Sequence, residues 1–186
     1  QRQMCIRDST SSFGIEFIEW TPYGGSEIYT PGKPLGIDSD GESLIVMAVD
    51  QLGVELLSID SLGADPVLIG RVDTQGNAEK VTLTSSGVFV ACDNAGAAYI
   101  PIETFGTENQ ANSFGTDFTV DHIAVHNNIA ALSIGSRGLA LYDISDPEYP
   151  IEKGVFPIGY TYMSAFWEGK LLVCSREGLQ LIAIAQ

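Results

Sequence analysis

The amino-acid sequence predicts an all-β protein, a β-propeller of four-stranded antiparallel blades, and three observations carry that expectation. A Gly-led apolar strand recurs five times, after Gly14 (IEFIEW), Gly53 (VELLSI), Gly96 (AAYIPI), Gly138 (LALYDI) and Gly178 (LQLIAI). The anchoring glycines are 39, 43, 42 and 40 residues apart, the period of a propeller blade. No helical 3.6-residue period persists anywhere along the chain, whereas alternation with period two does.

Residues 1–9 (QRQMCIRDS) stand outside this pattern. They lack the apolar stretch of a secretory signal, and the MCIRDS run resembles translated sequencing-adapter read-through. They are read as a non-native or disordered segment, so the fold reading starts at residue 10. A partial blade over 13–30 comes first, with a third strand at Ile15–Trp20 and a fourth near Glu27–Thr30.

Three full blades are expected over 31–73, 74–117 and 118–159, with an incomplete last blade over 160–186. In each, a short first strand (Leu35–Ile37, Val81–Leu83, Ile123–Val125, Ser164–Phe166) precedes a more continuously apolar second strand. The second strands are Leu44–Val49, Val88–Cys92, Ile129–Ile134 and Leu171–Cys174. Such a run suits a strand buried on both faces. The three-residue turns DQL, DNA, GSR and SRE then lead into the Gly-led third strands. A polar-edged fourth strand is clearest at Pro66–Val72 and Ile151–Phe156.

The stretch from Gly138 through Asp143, Ile144, Ser145, Asp146, Pro147 and Pro150 to Gly154 resembles the LVIVD repeat, a propeller repeat of bacterial and archaeal proteins. Only this copy matches closely; the turn after Asp60 is stretched, and the one after Glu103 has lost both prolines. The resemblance implies a propeller fold and an extracellular, periplasmic or cell-surface setting, and it brings no catalytic residues. The chain opens on a third strand and closes on one, so it reads as about four and a half blades from the C-terminal part of a larger ring. An exposed blade edge and face then favour self-association. A closed four-blade ring is the alternative.

Composition narrows the function. Acidic residues outnumber basic ones 24 to 9, for a net charge of −15, which argues against nucleic-acid partners. No apolar run approaches the length of a membrane-spanning helix. Cys92 and Cys174 each lie four residues before an anchoring glycine, so both are expected at one buried core position, unbridged and inert. His122 and His126 flank a strand, where residues four apart lie roughly 13 Å from each other, too far to share one ion. The run Asp38-Ser39-Asp40-Gly41-Glu42 starts like a calcium loop, but its glycine comes too early, so it reads as an acidic hairpin turn.

Binding residues are expected on the connections that enter the inner strands: Lys33, Asn77, Glu79, Lys80, Asp121, His122, Tyr160 and Tyr162. The positions just before the inner strands, Pro34, Lys80, His122 and Met163, share no charge and no ligand type, so neither a metal nor a cofactor is expected, and no catalytic motif stands out. The chain therefore reads as a non-catalytic binding or scaffold module whose partner is a protein, a glycan or a wall polymer. A hydrolase or oxidoreductase with its site completed by further blades is the alternative.

Overall fold

A computed structural model of the protein describes residues 5–7, 15–18, 25–28, 32–60, 65–107 and 110–184, the first three segments by their backbone pairing alone. Residues 19–20, 29–30 and 61–64, which close two expected strands and the stretched turn, lie outside the described residues.

Five antiparallel sheets follow one another along the chain. The first blade holds β1 (Cys5–Arg7), β2 (Ile15–Ile18) and β3 (Gly25–Ile28). The second holds β4 (Gly36–Ser39), β5 (Leu44–Ala48), β6 (Val54–Ser58) and β7 (Val67–Val72). The third holds β8 (Lys80–Leu83), β9 (Gly87–Ala91), β10 (Ala97–Pro101) and β11 (Asn112–Phe114), with a short 3-10 turn, Ile102–Thr104, ahead of β11. The fourth holds β12 (His122–His126), β13 (Ile129–Ser133), β14 (Leu139–Asp143) and β15 (Ile151–Phe156). The fifth holds β16 (Thr161–Trp167), β17 (Lys170–Ser175) and β18 (Gly178–Ala183), with no fourth strand among the described residues.

Cys5–Arg7 falls within the segment that the sequence reading set aside, yet it pairs with Ile15–Ile18. A third strand with an open inner edge offers unpaired backbone groups to any extended segment nearby, which accounts for the pairing.

The blades stack face to face. Val46, Ala48, Val54 and Leu56 of the second blade pack on Val88, Val90, Cys92, Ala98 and Ile100 of the third. The third blade turns its other face, with Phe89, Ala91, Ala97 and Tyr99, to Ile123, Ala130, Leu132, Ala140 and Tyr142 of the fourth. The fourth in turn sets Ala131, Leu139 and Leu141 against Leu171, Val173 and Ile182 of the fifth. Middle strands buried on both faces must be apolar at every position, which is why they read as continuous runs. Each fully buried Leu or Ile contributes about 2 kcal/mol. A chain of rings, Tyr99–Phe89 (4.9 Å), Phe89–Phe114 (6.5 Å) and Phe114–Tyr142 (5.2 Å), crosses the joint between the third and fourth blades.

The first strands β4, β8, β12 and β16 run side by side as the inner strands. Polar ties join neighbours: the Lys80 ammonium donates to the Leu35 carbonyl (2.6 Å), the Leu83 amide to the Asp38 carboxylate (2.8 Å) and the Thr82 hydroxyl to the Ile123 carbonyl (3.0 Å). Of the acidic run expected as a turn, Asp38 and Ser39 end β4, paired with Val46 and Ile45, and the turn itself starts at Asp40. The amides of Glu42, Ser43 and Leu44 all donate to one Asp40 oxygen at 2.8–2.9 Å. Burial would raise that carboxyl, but the amide donors outweigh it and hold it below its ordinary range.

One expectation fails by a single residue. In the second, third and fourth blades the turns span three residues, because Val49, Cys92 and Ile134 donate to Gly53, Gly96 and Gly138. In the fifth blade Ser175 itself pairs with Gly178, leaving the two-residue turn Arg176–Glu177. Ser175 therefore takes the place of Cys92, and Cys174 moves to the opposite face. Both cysteines are free, but Cys92 is buried and Cys174 exposed.

Candidate interaction face

The alternation of hairpins puts two kinds of connection at one end of the sheets: the turns between second and third strands, and the segments leading from each blade into the next inner strand. They are stitched together by backbone. Asp50 and Ala78 exchange both amide bonds, at 3.1 and 3.0 Å; the Val120 amide donates to Asp93 at 2.9 Å, and the Thr161 amide to Gly135 at 3.0 Å. The first turn residues sit at φ 51° (Asp50), 51° (Asp93) and 56° (Gly135), a left-handed conformation that Asp tolerates and Gly adopts freely.

This stitching gathers most of the residues expected from the sequence. Asn77, Glu79 and Lys80 flank the Ala78 bridge, Asp121 and His122 follow the Val120 bridge, and Tyr160 and Tyr162 flank Thr161. Lys33 is exposed on the segment ahead of β4. Tyr160 and Tyr162 lie ring to ring at 5.0 Å, with the Arg176 guanidinium 5.8 Å from the Tyr160 ring. A methyl group on Gly135 would lie 3.4 Å from the Asp121 carboxylate and 3.5 Å from the Tyr160 ring, so these two side chains meet over that glycine.

The electrostatics are those of crowded carboxylates. Burial raises the Glu79 carboxyl, and the charges of Asp93, Asp121 and Asp50 add to the effect while Lys80 opposes it. Asp121 is raised by burial and then by Asp93. His122 is pushed the other way, lowered by burial and by Lys80. Its Nδ1 is buried without a partner, as are the hydroxyls of Ser133, its cross-strand neighbour, and of Ser164 on the adjoining inner strand. Sequence reasoning missed Asp50, Asp93 and Arg176. The signal was available in the turn strings, which put a residue able to adopt positive φ first in the three-residue turns.

Among the described residues no group of three His, Cys, Asp or Glu side chains is placed to hold a metal ion. Burial pushes the Cys92 thiol up to about 12, which makes it a poor nucleophile. His126 lies at the far end of β12, stacked on Phe166 at 5.4 Å, beside a shallow cleft of about 340 Å³ lined by Asn127, Asn128 and Ile129. No helix of the described residues is long and apolar enough to cross a membrane.

No protein-family model and no curated protein sequence matches the chain. Solved structures do match in shape. The WD40 repeats of RRP9 superpose with a TM-score of 0.74 at 10% identity, over 92% of this chain and 61% of that one. The fold is a β-propeller. The propeller domain of Cps50 (Swd1) from Myceliophteria thermophila gives 0.71 at 10% identity, over 92% and 63%. The computationally designed protein Ika8 gives 0.73 at 11% identity, over 99% and 56%. The chain thus spans about three fifths of the length of these propellers, and at such identities the likeness is one of fold alone.

Proposed function

We propose that the chain is a non-catalytic binding module that holds a partner protein on the end of the propeller where Glu79, Asp121, Tyr160 and Tyr162 gather. The observation that carries this reading is the row of inter-blade backbone bonds at Asp50–Ala78, Asp93–Val120 and Gly135–Thr161. Those bonds tie the connecting loops to their neighbours, so side chains from three blades are presented from fixed backbone at little further entropic cost. Tyrosines supply contact area with few rotatable bonds, and the carboxylates favour basic or amide-rich partner surfaces. The extracytoplasmic or cell-surface setting is part of the proposal and rests on the repeat-like stretch Asp143–Gly154.

The test is binding of the purified chain to a displayed peptide and protein library, a glycan array and isolated bacterial wall polymer. Protein or peptide ligands that Tyr162→Ala and Asp121→Asn weaken at least tenfold, with folding intact, support the reading. Glycan or wall-polymer binding alone would replace the partner class, and ligands indifferent to both substitutions would move the site elsewhere.

A further inference from the structure

Between the third and fourth blades the inner strands are tied directly, the Thr82 hydroxyl donating to the Ile123 carbonyl at 3.0 Å. The next joint is built differently. Thr82 pairs with Phe89 two residues along from the Lys80–Ala91 pair, and the same step from the His122–Ser133 pair leads to Ala124 and Ala131. Ala124 thus stands where Thr82 stands one blade earlier, with no hydroxyl to repeat the tie, and Ala131 stands in the place of the Phe89 ring.

Polar atoms gather in that same joint. Ser164 pairs with Val173 directly after the Met163–Cys174 pair, which gives it the register of Val81 and Ile123 on the preceding inner strands. Val81 shares a cluster with Ala48 of the blade before it, and Ile123 shares one with Ala91. The residue at the Ala48 and Ala91 position of the fourth blade is Ser133, so an apolar pair has become a pair of serines. Two contacts hold β16 alongside β12, the Gly135–Thr161 backbone bridge and the His126–Phe166 ring stack, and Ser164 lies between them. Phe166, two residues on and so on the same face of β16, packs in one cluster with Ala131. Ser133 is 0% exposed and Ser164 3%. Neither hydroxyl has a hydrogen-bond partner, nor has the buried Nδ1 of His122, the cross-strand neighbour of Ser133. Buried polar atoms left unpaired are costly, and such groups are ordinarily satisfied by protein or by ordered water.

We propose that His122 Nδ1, Ser133 Oγ and Ser164 Oγ together hold one water molecule between the fourth and fifth blades. About three hydrogen bonds is the usual complement of a buried water, and a polar site flanked by small side chains is one that water occupies. Both hydroxyls can donate or accept, so the water fits either tautomer of the imidazole. With the imidazole neutral, none of the three groups carries charge to balance a buried ion. The water supplies the tie that Ala124 cannot, and it joins the two blades whose entering loops carry Asp121 and Tyr160.

Magnetic relaxation dispersion of the full chain counts the waters held longer than the protein takes to tumble, and a crystal structure locates them. The expected result is a water within about 2.7–3.2 Å of all three atoms, and one fewer long-lived water in the double variant Ser133→Ala with Ser164→Val. That variant recreates the Ala48 and Val81 combination of an earlier joint, so it should fold. Ser164→Ala, which removes one partner of the water, should shorten its residence time and serves if the double variant folds poorly. Hydroxyls bonded to each other or to Nδ1 with no water between them, an ion in the water's place, or an unchanged count of long-lived waters in the double variant overturns the proposal.

Discussion

Asp50 and Ala78 trade both of their backbone hydrogen bonds across a blade boundary, Asp50 N–H to Ala78 O at 3.1 Å and Ala78 N–H to Asp50 O at 3.0 Å. Neither residue is in a named strand, yet the pair does for two blades what a ladder does for two strands. Asp50 makes the exchange with φ at 51°, in the left-handed region.

The corresponding turn of the third blade offers a direct test. Asp93→Val places a β-branched residue at φ 51° and should cost about 1–2 kcal/mol in urea unfolding. Asp93→Gly should keep or raise stability, since Gly135 is the natural form of the same device one blade on. Either substitution removes a charge that raises Glu79 and Asp121, so both carboxyls should titrate lower by NMR.

Two of the anchoring glycines should respond very differently to alanine. At Gly138 (φ +91°) an added Cβ would lie 2.2 Å from the Phe156 carbonyl of the outer strand; at Gly178 (φ +116°) it would meet nothing within 4 Å. Gly138→Ala combines backbone strain with a clash and should cost roughly 3 kcal/mol or more. Gly178→Ala carries the strain alone and should cost about 1–2 kcal/mol. Equal losses in thermal melts would mean that the fourth strand does not create the requirement for glycine.

The same contrast explains how far the fold was legible. The recurring glycine is visible in sequence because β7, β11 and β15 crowd it, and the apolar runs of β5, β9 and β13 are visible because both of their faces are covered, whereas β17 reads the same way with one face exposed. Of the residues expected on the connections, Lys33, Asn77, Glu79, Asp121 and Tyr160 lie there, whereas Lys80, His122 and Tyr162 belong to β8, β12 and β16, because those inner strands begin before their apolar pattern does. What sequence did not carry was the length of the last turn. Ser175–Arg176–Glu177 resembles the other three turns in polarity, and only the pairing of Ser175 with Gly178 shows that one residue has left the loop. A shift of one residue in a strand exchanges faces, which took Cys174 out of the core. The inter-blade bonds were invisible for a plainer reason, being made by backbone atoms that every residue has.

Glu55 and Arg71 give a prediction that sequence periodicity would discourage, because Glu55 sits mid-strand in β6 with its side chain 3% exposed. The Arg71 guanidinium reaches it from β7, its Nε donating to the carboxylate at 3.0 Å, while the Arg71 side chain is 34% exposed. Arg71→Ala leaves a carboxylate with no partner in a buried place and should cost about 3–5 kcal/mol. Glu55→Leu combined with Arg71→Met removes both charges and should recover most of that loss in the same unfolding assay. If the double variant is as unstable as Arg71→Ala, the side chains matter through packing and not through charge.

His122 ties stability to pH. Burial first, and then the positive charge of Lys80, depress its pKa in the folded protein below the ordinary value of about 6.5. A base with a depressed folded pKa binds its proton more readily in the unfolded chain, so its contribution is present above about pH 6.5 and is lost as pH falls through the folded value. Glu79 and Asp121 act with the opposite sign: their raised carboxyls favour the folded state below the ordinary carboxylate range, and that contribution fades as pH rises. Comparing variants separates the two. His122→Gln keeps a polar neutral side chain beside Ser133 and removes the titration, so its melting temperature should change less between pH 7 and pH 5 than that of the parent protein. A parallel pair of pH profiles would show that the imidazole is neutral in both states over that range, or equally protonated in both, and that the acid sensitivity of the protein arises elsewhere.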